Sequence, residues 1–257
     1  YMEARPLFGP DHRPRQYVVA ARDRCDETLD CIRCARTKRY KYIRNFFPFR
    51  AHLQPNRHKD RKEIVKTMRR LFAEGGLNEL QARLFAPVRP VEELYNLESD
   101  PHEIHNLADS PEHRDTLKRL RLKLLVWMEE TKDLGLVPEP ELEQLAKKYS
   151  SRYDIFRRKE NAGLLKSILR VVNLDIRGET AAPSLTTMMS DDRSEVRWWA
   201  AMELGNLGAK ARSAEAVLAG ALSDSSAGVK VAAGRALCKM GAEEKGLPAL
   251  MQALGNK

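Results

Sequence analysis

No run of eighteen apolar residues occurs in the 257-residue chain, so it offers no membrane-spanning helix. The first ten residues, YMEARPLFGP, hold neither a basic segment followed by an apolar one nor an initiator methionine. They do not read as a signal peptide, and Tyr1 reads as an interior cut, not a native start. Cysteine is scarce, with Cys25, Cys31, Cys34 and Cys238 alone. Cys31 and Cys34 have C-x-x-C spacing, but a zinc site would need a fourth ligand beside them and Cys25, and only distant histidines are available. Residues three apart on a strand also point to opposite faces. Buried thiols are the expected state, with a Cys25–Cys31 or Cys25–Cys34 disulfide as the alternative. His102 and His105 lie in HEIH, which lacks the H-E-x-x-H spacing of a metal helix, and read as exposed loop residues.

What is present suffices for one large domain or two small ones, with 42% apolar and 32% charged residues. The net charge of +9 is concentrated at one end, where residues 1–60 carry 14 lysines and arginines against 7 acidic residues. Such a field attracts polyanions, although a solvated basic face would look the same.

Residues 1–16 read as a loop, Tyr17–Ala21 as a short strand and Ile32–Ile43 as a second. FFPFRAHLQPNRHKD is a loop broken by Pro48 and Pro55. Ile64, Met68, Leu71 and Phe72 give one helix face, ended by Gly75-Gly76, and Leu77, Leu80, Leu84 and Phe85 give a second. The stretch VEELYNLESDPHEIHNLADSPE, residues 91–112, predicts a strand and then two helix starts. Asp100, Pro101 and Glu103 form the first, a one-turn helix with a capping box. Ser110, Pro111 and Glu112 form the second. Leu117, Leu120, Leu124, Trp127 and Met128 then make one apolar stripe on a helix over Pro111–Lys132.

The last third repeats itself. LTTMMSDDRSEVRWWAAMELGNLGAK aligns with LAGALSDSSAGVKVAAGRALCKMGAE at an offset of 33, pairing Leu185 with Leu218, Asp191 with Asp224, Val196 with Val229, Leu204 with Leu237 and Gly208 with Gly241. Each unit reads helix, Ser-Asp turn, helix, Gly turn. GLLKSILRVVN before them and GLPALMQALGNK after them read as unpaired flanking helices. The pattern resembles HEAT repeats of the short bacterial kind, which bury a core only by stacking.

ELYNLESDPHEIHNLA, with LLVWMEETKD after the long helix, resembles the C-terminal subdomain of type I sulfatases. Upstream, YVVAARDRCDETLDCIRCARTKRYKYIRNFFP resembles the strand leaving the sulfatase core and the next strand of that subdomain, most closely in the heparan N-sulfatase-like subgroup. The resemblance covers Tyr1 to Glu143. Together the two resemblances imply an α+β fold, a small antiparallel sheet with a long packed helix followed by an all-α HEAT-like solenoid. The implied divisions are residues 1–147 for the subdomain, including the end of a truncated alkaline-phosphatase-like core in 1–24. A linker over 148–160 and repeats over 161–257 follow.

Sulfatases of this type use a formylglycine made from a C/S-x-P-x-R motif, together with calcium. No such motif occurs here, since Ser99-Asp100-Pro101 is followed by Glu103 where the arginine would stand. The implied catalytic residues and metal ligands therefore belong to a catalytic domain outside this sequence, and the chain alone is expected to be inactive. The subdomain borders the substrate pocket in this family, which makes ARDRCDE the candidate substrate-binding stretch. Arg22 and Arg24 would fork onto a sulfate or carboxylate, and Asp23 or Asp26 would accept from a sugar hydroxyl. The alternative is that these four pair with one another at a strand end. The implied partner is sulfated carbohydrate, met through an exported parent enzyme, with a protein partner on the repeats. Nucleic acid rests on charge alone. The rival reading is a non-catalytic protein-interaction module.

Overall fold

In the computed structural model, residues 6, 8–149 and 151–255 are described, and the chain divides into two units at residues 126 and 127. Residues 1–5 and 7, part of the loop expected over 1–16, lie outside the described residues, as does Ser150 in the expected linker.

In the first unit, β1 (Val18–Cys25), β2 (Thr28–Arg36), β3 (Tyr40–Asn45) and β4 (Glu92–Asn96) form one antiparallel sheet in that order. β1 extends past the expected Ala21 and turns into β2 at Asp26-Glu27. Asp26 takes a positive φ of 52°, a conformation that Asp tolerates better than most residues. The single strand expected over Ile32–Ile43 is two strands. The turn between them holds no Gly or Pro to betray it. Instead the Thr37 hydroxyl accepts from the Tyr40 N–H at 2.8 Å and donates to the Tyr40 carbonyl at 3.1 Å.

Register decides the two faces. Arg33, Arg44 and Glu92 lie in one cross-strand row and Ala35, Tyr42 and Leu94 in the next. Helix α3 (Arg114–Thr131) covers this face with Leu117, Leu120 and Leu124, and Arg121 grips Glu92 through two bonds of 2.5 and 2.6 Å. The Tyr42 hydroxyl donates to the same carboxylate at 2.6 Å. On the opposite face Arg22, Ile32 and Asn45 share a row.

Helix α1 (Glu63–Ala73) forms on the expected stripe but buries none of its residues. A short α2 (Glu79–Ala82) follows, capped reciprocally by Asn78 and Gln81. The expected one-turn helix after Asp100 does not form. Asp100 accepts from the Ile104 and His105 N–H groups, while Glu103 adopts a φ of 57° and pairs with Lys41 at 2.6 Å. Of the two side chains expected to form a capping box, Asp100 closes the loop on itself and Glu103 ties it to β3.

The second unit is helical, with no strand among the described residues. Its helices are α4 (Glu139–Tyr149), α5 (Leu164–Val172), α6 (Ala182–Met188), α7 (Ser194–Leu207), α8 (Glu215–Gly220), α9 (Ala227–Met240) and α10 (Glu243–Gly255). The 33-residue offset is visible in the turns. Asp191 accepts from the Arg193 N–H at 3.0 Å, and Asp224 accepts from the Ser226 N–H at 2.8 Å. Gly208 and Gly241 both take positive φ where α7 and α9 end. Arg197 on α7 binds both oxygens of Asp224, at 2.7 and 2.8 Å, and so ties one repeat to the next. Small residues permit the close crossing of the helices, since a Cβ on Gly205 would lie 2.9 Å from the Ala236 Cα. The α+β class with a helical repeat region is the observed fold.

Candidate functional site

The ARDRCDE stretch lies within β1 and its turn, not beyond a strand end. Arg22 sits on the sheet face opposite α3, half-buried, and its side chain has no hydrogen-bond or ion-pair partner among the described residues. Asp23 behaves differently. Its Oδ1 accepts from Arg33 Nη1 at 2.8 Å, and the Arg33 side chain is fully buried beneath it. Arg24 donates to the Asp26 carbonyl at 3.3 Å and holds the turn. The Asp26 carboxylate meets Asn56 Nδ2 at 3.5 Å, and neighbouring Glu27 accepts from the Arg57 N–H at 2.5 Å. Among the four, Arg24 reaches Asp26 through the Asp26 carbonyl, while Asp23 turns to Arg33. Asp23 looks into the sheet unit, and Asp26 faces the 46–58 loop.

That loop brings two further groups that sequence reasoning passed over, Arg50 and His52. The only advance signal was the interleaving of aromatic and basic residues in FFPFR. Arg50 donates to Gln54 at 3.3 Å and lies over the rings of Phe47 and Phe49, 5.9 and 5.6 Å from their centroids. Its Nε is buried and unpartnered among the described residues. Burial, and then the nearby charge of Arg89 and Arg24, lowers its pKa against the pull of Asp30. An arginine remains charged regardless. His52 is half-buried, and its pKa is lowered first by desolvation, then by Arg89, with Arg22 adding to the effect. Arg24 thus acts on Arg50, and Arg22 on His52.

Below the cluster lies a wholly buried ion pair. Arg89 forks onto Asp30 at 2.6 and 3.1 Å and also donates to the Phe47 carbonyl at 3.0 Å. The pair fixes the root of the loop that carries Arg50 and His52.

Asp23 and Asp30 are each engaged with an arginine. The cysteines are free thiols, with Cys31 buried, Cys34 and Cys238 half-buried, and Cys25 exposed at the end of β1. Cys25 thus departs from the buried state expected of it. His102 and His105 are exposed in their loop.

Residues 182–257 match the family described as HEAT repeats. Two curated relatives, both named ulvan-active sulfatase and both from Formosa agariphila, resemble the chain. One is 41% identical over 143 residues, 55% of this chain and 24% of the relative. The other is 34% identical over 131 residues, 50% of this chain and 24% of the relative. The chain spans about a quarter of the length of the curated relatives it matches.

Proposed function

We propose that the first unit is the C-terminal part of an enzyme that hydrolyses sulfate groups of a sulfated carbohydrate, and that its cationic cluster holds an anionic part of that sugar. The observation that carries this reading is Arg22, half-buried, without a side-chain partner among the described residues, and close enough to His52 for its charge to act there. The similarity of about half the chain to proteins named sulfatases supports it.

On this reading the chain's residues bind and orient. Arg22 and Arg50 offer planar donors to a sulfate or uronate group. His52, whose lowered pKa keeps it neutral near pH 7, adds a hydrogen bond without adding charge. Asp26 accepts from a sugar hydroxyl at the rim. Asp23 holds Arg33 and so fixes the strand that carries Arg22. Nucleophile, formylglycine and calcium belong to the catalytic part of the longer protein, because no C/S-x-P-x-R motif exists in this sequence.

Sulfate release from a sulfated polysaccharide tests the reading. A longer protein that includes the chain releases sulfate, and the 257-residue chain alone does not. A longer protein inert towards every sulfated polysaccharide and aryl sulfate tried would overturn the assignment, as would turnover by the chain alone.

A further inference from the structure

Residues 147–159 of the second unit, KKYSSRYDIFRRK, hold six cations against one carboxylate, Asp154. Residues 181–257 of the same unit hold 9 lysines and arginines against 8 acidic residues, so the excess charge is local. All six cations, Lys147, Lys148, Arg152, Arg157, Arg158 and Lys159, are exposed, and none forms an ion pair among the described residues. Elsewhere in the unit cations find carboxylates, as Arg197 does in Asp224 at 2.7 Å. A run of like charge left uncompensated keeps its field for an anion from outside.

The backbone that carries this charge is anchored. It forms two short 3-10 turns, Arg152–Arg157 and Lys159–Asn161. Ile155 and Phe156 are buried, and so is Asn161, whose side chain donates to the Ile155 carbonyl at 2.9 Å. Arg157 is itself oriented. Its guanidinium lies over the Tyr153 ring, 3.7 Å from the centroid, donates to the Tyr153 carbonyl at 2.8 Å and reaches the Thr131 carbonyl at 3.5 Å. Neutral carbonyls orient a guanidinium without cancelling its charge. Lys148 and Arg158 converge on the Tyr149 ring, 4.9 and 5.9 Å from its centroid. Arg193 donates to the Glu160 carbonyl at 2.9 Å. The Lys148 pKa is raised first by Tyr149 and then by Glu160, and Arg193 opposes the rise. Three cations thus gather where one carboxylate, Glu160, stands.

We propose that residues 147–159, together with Arg193, form a binding site for sulfated polysaccharide that anchors the polymer on the second unit. The ligand class rests on the reading of the first unit, and the place rests on the anchored, uncompensated cations. Sulfate groups recur along such a polymer, so several fixed cations are met at once and their contacts reinforce one another. A guanidinium offers a sulfate two parallel donors. Orienting it in advance, as Tyr153 and Thr131 orient Arg157, reduces the entropy lost on binding. Nucleic acid fits less well. Single strands are held by bases stacked on successive exposed rings, and the described residues of this segment expose one ring, Tyr153, which already lies under Arg157.

The test is the affinity of the 257-residue chain for dextran sulfate, measured by calorimetry, with unsulfated dextran as the control. Arg22→Ala is present throughout, so that the cluster of the first unit contributes little. Arg157→Gln with Arg158→Gln is expected to weaken binding roughly 10- to 100-fold. Arg152→Gln with Lys159→Gln removes two side chains that have no hydrogen-bond or ion-pair partner among the described residues. That pair should weaken binding severalfold at an unchanged melting temperature. Unsulfated dextran should not bind, and single-stranded DNA of equal total charge should bind more weakly than dextran sulfate. Dextran sulfate binding untouched by both double variants overturns the inference. So does the absence of binding, and so does DNA binding as tight as that of dextran sulfate. Sulfate release by the longer protein is a separate readout. A longer protein that releases sulfate but whose polymer binding ignores both double variants sinks this inference alone. An inert longer protein whose polymer binding falls with them sinks the enzyme reading and leaves the binding site standing.

Discussion

The sheet unit buries Asp30, Arg33, Arg44, Arg89 and Glu93, while the repeat unit buries alanine, valine and leucine with the carboxylates Glu195 and Glu203. Buried charged partners add to an apolar core in the first unit, whereas the second buries mostly apolar side chains, many of them small. Charged partners must be present in pairs, because a buried ion without its counterpart is costly. Small apolar residues need only a recurring shape, which is why the second unit could be built twice at one offset.

The comparison breaks most sharply at Asp30. Asp30→Ala leaves Arg89 buried without its carboxylate and is expected to cost the sheet unit about 3–5 kcal/mol. The double change Asp30→Leu with Arg89→Met should recover most of it. Chemical denaturation followed by near-UV signals checks both. Recovery no better than the single variant would mean that the pair acts through more than its charge. In the repeat unit the comparable deletion is Leu218→Ala, expected to cost about 2–5 kcal/mol from lost burial and cavity. No second substitution should rescue it.

A smaller effect concerns how α9 begins. Ser226 accepts from the Val229 N–H at 3.2 Å, and its hydroxyl also donates to Glu141 on α4, which accepts from Ser194 at 2.6 Å as well. Ser226→Ala should cost about 1 kcal/mol, the usual worth of an N-cap, and should speed amide exchange in both α4 and the first turn of α9. Faster exchange in α9 alone would show that the Glu141 contact holds little.

The smallest effect is a difference in sign. His52 has its pKa lowered from 6.5, mainly by burial, so its contribution is present above pH 6.5 and is lost as pH falls through the lowered value. Glu195 has its pKa raised from 4.5, mainly by burial and then by Glu141, against backbone hydrogen bonding. Its contribution is full below pH 4.5 and is lost as pH rises through the raised value. Acidification from pH 7 to 5 should therefore weaken the sheet unit and strengthen the repeat unit through these groups. His52→Gln and Glu195→Gln should each flatten the pH response of their own unit. Stability against pH for the parent and both variants is the check, and a slope unchanged by either substitution would remove that group from the account.

The same contrast explains what the sequence disclosed. The repeat was legible because Asp191 and Asp224, Val196 and Val229, and Gly208 and Gly241 do local work that recurs in the same order. The long helix α3 was legible from its apolar stripe. The β2–β3 turn was hidden, because a threonine hydroxyl at Thr37 does the work usually marked by Gly or Pro. The Asp100 loop was misread as a helix because its decisive partner, Lys41, is distant in sequence. Of the candidate site, Arg22 was visible through its place after an apolar run. Arg50 and His52 were not, since only the folding of the 46–58 loop brings them to Arg22 and Arg24.

The central claim is that this cluster reads an anionic sugar for a sulfatase. Its most direct test is kcat/KM of the longer enzyme carrying Arg22→Ala, measured on a natural sulfated polysaccharide and on a small aryl sulfate. Loss of a hydrogen bond to a charged group, about 1.5–3 kcal/mol, predicts a fall of roughly 10- to 100-fold on the polysaccharide and little change on the aryl sulfate. Equal loss on both substrates would make Arg22 a structural residue, and no loss on either would contradict the claim outright.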